Sequence, residues 1–118
     1  MPLRAICTLL LVLLVPAAAR ADMEALLGKY ATTDDGCLGE PGPEFEIRRG
    51  VIEGPGLLCL LGVPQEASGP GLEAYQAKCT QNDGVHLGSL SFDLSEKDGP
   101  IKIHLPEKQD WIALYSCK

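Results

Sequence analysis

From Gly28 onward the chain is cut at short intervals by clusters of Gly, Pro, Asn and Asp, and this punctuation constrains its fold more than any other feature. The clusters are Asp34-Asp35-Gly36, Glu40-Pro41-Gly42-Pro43, Gly54-Pro55-Gly56, Ser68-Gly69-Pro70-Gly71, Asn82-Asp83-Gly84, Asp98-Gly99-Pro100 and Pro106-Glu107-Lys108-Gln109-Asp110. Glycine there supplies backbone conformations with positive φ, and proline forbids continuing a hydrogen-bonded ladder. The runs between them are roughly five to ten residues, the length of strands rather than of stable helices. The spacing predicts eight strands, over residues 29–33, 44–49, 51–53, 57–61, 72–80, 85–95, 101–105 and 111–117.

Alternation of side chains supports several of these strands. Phe45 and Ile47 oppose Glu44, Glu46 and Arg48, and Ile101, Ile103 and Leu105 oppose Lys102 and His104, the pattern of half-buried strands. Residues 57–61 are apolar on both faces. That suits a strand covered on each side, the reading we prefer, or one contributing to a pocket or partner surface. In the last strand Trp111, Ala113, Tyr115 and Cys117 share one side and Ile112, Leu114 and Ser116 the other, so its inner face is open at this level. The expected fold is all-β: an antiparallel meander of eight strands closed into a small barrel, with a sandwich as the alternative. A short helical lead-in at residues 22–28 precedes it. At 118 residues the chain is too short for a (β/α)8 barrel, and one domain over residues 22–118 is expected.

The first 21 residues read as a secretory signal. Arg4 is a basic start, residues 5–15 form an apolar run, and Ala19-Arg20-Ala21 is a small-x-small cleavage site. The run is about eleven residues, short of the roughly 20 a spanning helix needs, so no membrane association is expected after cleavage. Cys7 has no apolar stretch before it and is not read as a lipid attachment site. Removal of Arg4 and Arg20 takes the formal net charge from −6 to −8. An acidic surface with no basic cluster beyond Arg48-Arg49 repels phosphate backbones, so nucleic acid is a poor partner and a cationic partner a better one.

Four cysteines then remain, Cys37, Cys59, Cys79 and Cys117, an even number in a short exported chain. They read as two disulfides and an oxidising compartment, periplasmic or extracellular. Zinc is disfavoured because successive cysteines are at least 20 residues apart, unlike structural zinc sites. Of the three connectivities, Cys37 with Cys59 and Cys79 with Cys117 is preferred, each bond closing one half of the chain.

No motif for catalysis or cofactor binding is present. His86 and His104 are the only imidazoles; a transition-metal site needs more ligands than these supply, and they read as a turn-proximal and a solvent-facing strand residue. Gly88-Ser89 lacks the second glycine of a nucleophile elbow, phosphate-binding glycine loops are missing, and Asp34-Asp35-Gly36 lacks the spacing of a calcium loop. We expect no enzyme, no metal and no cofactor. The readings left are a module that binds another protein, such as an inhibitor of a protease or an envelope cell-wall hydrolase, and a carrier of a small apolar ligand in the barrel interior. A purely structural envelope protein is the third. The Pro-stiffened segments 40–43 and 64–71 are candidate docking loops, and Trp111 is expected in the core, or else lining a ligand mouth.

Gly28-Lys29-Tyr30, a glycine-x-aromatic step opening the first strand, resembles the start of calycin barrels. Lipocalins open with a comparable glycine-x-Trp, and the bacterial periplasmic metalloprotease inhibitors are similar in size, export and small eight-stranded barrel. Here Tyr30 stands for the Trp, and four cysteines exceed the single bond expected of the inhibitors. The resemblance implies that residues 22–26 would be the inhibitory segment, extended before the barrel begins. Asp22, Met23 and Glu24, with Tyr30 and Trp111, are therefore the candidate binding residues.

Overall fold

The computed structural model describes residues 22–39, 42–67 and 69–117; the expected signal segment lies outside them. A five-residue helix, α1 (Asp22–Leu26), leads into eight strands: β1 (Gly28–Ala31), β2 (Phe45–Arg48), β3 (Val51–Gly54), β4 (Leu57–Gln65), β5 (Leu72–Gln81), β6 (Gly84–Asp93), β7 (Ile101–His104) and β8 (Trp111–Ser116). Each strand pairs antiparallel with the next, and β8 returns to pair with β1 through Tyr30↔Ser116 and Ala31↔Tyr115, closing the barrel. The meander and the number of strands follow the punctuation read above; the sandwich alternative is replaced by closure.

Turn chemistry explains the tight hairpins. Arg49-Gly50 joins β2 to β3 with φ 76° at Gly50, and Pro55-Gly56 joins β3 to β4 with φ 62° at Gly56, the positive values that glycine adopts without strain. Gly54 has a different role. A Cβ at this position would overlap the ring of Phe45, so its bare backbone makes room for the aromatic side chain.

The inner faces fill the barrel with Ile47, Ile52, Cys59, Cys79, Leu90, Phe92, Ile103 and Leu114, all at most 1 % exposed. Leu26 and Leu105 belong to the same core, one at the end of the barrel that α1 enters and one in the β7–β8 loop at the other end. The Tyr30 hydroxyl donates to the Leu26 carbonyl at 2.6 Å, and Glu24 pairs with Arg49, so α1 is fastened to the barrel. Residues 22–26 are helical, not the extended segment implied by the calycin resemblance.

Both disulfides form, but not with the preferred connectivity. Cys59 and Cys79 stand directly opposite each other on β4 and β5, with Cα atoms 4.0 Å apart, and their bridge lies inside the barrel. Cys37 and Cys117 join the β1–β2 loop to the end of β8, Cα atoms 5.4 Å apart and 80 residues apart in sequence. The preferred pairing treated the chain as two halves. Antiparallel register instead places residues equidistant from a hairpin turn opposite one another, and 59 and 79 are equidistant from Gly69.

Candidate binding surface

Strands β4, β5 and β6 are nine or ten residues long where most of the others have four, and they present a wide outer face. Registry builds that face row by row: Leu58, Thr80 and Val85 form one row, and Leu60, Lys78 and Leu87 the next. The four aliphatic members are 40 %, 54 %, 48 % and 66 % exposed for Leu58, Val85, Leu60 and Leu87 respectively. Val63 is also exposed, at the register shift between Leu61 and Pro64. Isolated exposed leucines are ordinary, whereas two exposed aliphatic pairs in adjacent rows of one sheet face, Leu58 with Leu60 and Val85 with Leu87 on either side of Thr80 and Lys78, form a surface of the kind that protein partners use. The expectation that both faces of residues 57–61 are covered is therefore corrected. Leu57 and Cys59 face the core, and Leu58 and Leu60 face outward with no element packed over them among the described residues.

Further along the same face, past Gln76 and Ser89, lies a pocket of about 260 Å3. Ala74 is its buried floor, Leu72, Ser89 and Ser91 line it, and Glu66 and Trp111 form its walls. Trp111 reaches it because β8 pairs Trp111 with His104 and β7 pairs His104 with Ser91, all on the outer face. The indole rests against the His104 ring, centroids 5.1 Å apart, and is 44 % exposed. Its expected place in the core is thus overturned. Ile112 and Leu114 take the inner face of β8, and the alternation in that strand, apolar on both sides, gave no sequence signal to choose between them.

Of the other candidate binding residues, Tyr30 is 3 % exposed, its hydroxyl used internally and its pKa raised by burial, so it offers nothing to a partner. Met23 packs against the core, while Glu24 is exposed and paired with Arg49. Asp22 opens α1. The structure does not bring these residues together with Trp111, which on β8 borders the pocket at the far end of the β4–β6 face instead. Glu66 lies in segment 64–71, one of the two candidate docking loops read from the sequence, whereas Val85 and Leu87 were not singled out; the apolar character of 57–61 was the other signal for that face.

A second cluster ties the β5–β6 turn to the β7–β8 loop. The two ring nitrogens of His86 face carboxylates, Nε2 at 2.9 Å from Asp83 and Nδ1 at 2.8 Å from Glu107, and Lys108 donates to the other oxygen of Asp83 at 2.9 Å. Donating to the carboxylates of Asp83 and then Glu107 raises the His86 pKa, and accepting from His86 and then Lys108 holds Asp83 down to about 2. Both nitrogens being engaged, His86 has none free to act as a general base. A groove of about 500 Å3 over β1–β3 is larger but less suited to a partner: its carboxylates Glu46 and Glu53 already pair with Arg48, at 3.6 and 2.9 Å. Among the described residues no group of three or more His, Cys, Asp or Glu side chains could hold a metal ion.

In comparison with known proteins, the chain matches no family model, no curated protein and no solved structure.

Proposed function

We propose that this protein is an exported, non-catalytic module that binds another protein through the outer face of β4–β6. The observation that carries the reading is the aliphatic strip of Leu58, Leu60, Val85 and Leu87, held on three long paired strands and left open to solvent. A rigid, disulfide-tied sheet loses little conformational entropy on docking, which favours its use as a binding platform. Export is supported by the leader pattern in residues 1–21 and by two disulfides, which persist in oxidising compartments. The carrier reading has less support, because Phe92, Leu90 and Ile103 occupy the space an interior ligand would need. An inhibitory role through residues 22–26 also has less support, since they are folded into α1 and tied to β1 and Arg49.

The test places a photoreactive phenylalanine analogue at Leu87 and, separately, at Leu38, which is exposed on the β1–β2 loop. In the cells that export the protein, a discrete crosslinked species is expected from position 87 and not from position 38. Leu58→Ser together with Leu60→Ser is expected to remove it. Equal crosslinking from both positions, or none from position 87, overturns the reading.

A further inference from the structure

We infer that the pocket between Glu66 and Trp111 receives a basic side chain, arginine in particular, from an extended segment of the partner protein. The inference rests on the reading of the β4–β6 face as a protein-binding surface and adds the chemistry that selects the partner. At about 260 Å3 the pocket is below the size of most small-molecule sites, which run from about 300 Å3 upward, and suits a single long side chain.

Its walls specify which kind. Trp111 offers an exposed indole face, the best aromatic surface for a cation, and a guanidinium stacks on it better than an ammonium. Glu66 supplies a carboxylate acceptor, and the Ser89 and Ser91 hydroxyls can accept the remaining N–H donors of the guanidinium fork. Leu72 and Ala74 give the aliphatic stem an apolar bed. The same choice follows from charge at long range, since the chain carries −6 overall and draws in cationic segments.

Position along the sheet fixes what accompanies the arginine. Ser91 lies four residues beyond Leu87 on β6, about 13 Å along an extended chain. A partner segment running along this face therefore lays aliphatic residues on Leu58, Leu60, Val85 and Leu87 and delivers its basic side chain about four residues away. The outer-face Lys78, between Leu60 and Leu87, disfavours a second basic residue over the strip.

Trp111 is the only tryptophan in the chain, so its indole N–H resonance and its fluorescence report on the pocket alone. The probe is an extended peptide, acetyl-Val-Thr-Val-Thr-Gly-Thr-Arg-amide, in which the arginine lies four residues from the second valine and on the same face, titrated into the disulfide-bonded protein, with the same peptide carrying citrulline for arginine as the uncharged control. We expect a saturable Trp111 shift with the arginine peptide and one about tenfold weaker with citrulline. Glu66→Gln is expected to weaken the arginine peptide by about tenfold and Glu66→Lys to abolish its effect, consistent with loss of a charge-assisted hydrogen bond. Glu66 is exposed and outside the strands, and an unchanged melting temperature verifies that each variant folds. Equal binding of arginine and citrulline peptides, or no saturable Trp111 shift, overturns the inference. If that happens while crosslinking from position 87 persists, the pocket chemistry alone has failed. Loss of both removes the binding face itself.

Discussion

His86 and Glu107 show how much of this fold is held by single residues. Pro106 and Glu107 occupy the middle of a turn closed by the Lys108 N–H donating to the Leu105 carbonyl at 3.3 Å, and Glu107 sits at φ 65°, where glycine is usual. The left-handed backbone at a glutamate costs on the order of 1 kcal/mol and is offset by the bond its carboxylate makes to His86. Raised above its ordinary 6.5, the His86 pKa means that its contribution to stability is full at lower pH and is lost as pH rises through the folded-state value. Asp83, lowered from 3.8 to about 2, contributes above its unfolded value and loses that contribution as pH falls toward 2. Both contributions are therefore full between the two unfolded-state values of 3.8 and 6.5, in mildly acidic solution. Proton NMR titration of His86 should give a pKa above 6.5 that drops on Asp83→Asn and drops less on Glu107→Gln; an unshifted value in the wild type would refute the clamp. At Gly54 a methyl group has no room beside Phe45, so Gly54→Ala should destabilise by about 1–3 kcal/mol in chemical denaturation, whereas alanine at Gly39, where a Cβ meets nothing within 4 Å, should be nearly neutral.

At the scale of elements, the open edges of the long strands are managed by different means. β4 extends past β3 over its last residues, and there Pro64 and the register shift make the edge a poor template for another strand. β6 pairs with β7 only over Ser91–Asp93, and the β7–β8 loop runs beside its first half: Pro106 is the nearest neighbour to a Cβ at Gly88, and Glu107 reaches His86. The two disulfides also act on different elements. Cys59–Cys79 spans 20 residues within one hairpin, and Cys37–Cys117 spans 80 and ties the last strand to the loop after the first. In the chain-entropy model these loops correspond to about 3.3 and about 4.5 kcal/mol respectively. Opening the longer bridge through Cys37→Ser with Cys117→Ser should therefore lower stability by several kcal/mol, measured by urea denaturation. Non-reducing peptide mapping should recover one fragment pair joining positions 59 and 79 and another joining 37 and 117.

For the whole molecule, closure is the decisive event. The β8–β1 contact has two register pairs and one further bond, from the Cys117 N–H to the Lys29 carbonyl at 2.9 Å, a short seam for a barrel of eight strands. Full reduction should accordingly lower the melting temperature strongly, because so small a core leaves little margin once the seam loses its bridge. An unchanged melting temperature would show that packing alone holds the barrel. Local quantities are readable from the residues themselves: where the chain turns, because Gly and Pro limit φ residue by residue; how many strands form; and which faces of β2 and β7 are buried, because polar and apolar residues alternate there. That two disulfides form was legible as well, from the widely spaced cysteines at 37, 59, 79 and 117. Tertiary structure alone decided what depends on residues far apart. Closure set Cys117 beside Cys37, pairing across three strands moved Trp111 from an expected core position to a surface pocket with Glu66, and β5, pairing with both β4 and β6, set Leu58 and Leu60 in the same rows as Val85 and Leu87. None of these is encoded in a local pattern, since each is fixed by strand register, and register is a property of the closed sheet rather than of any single strand.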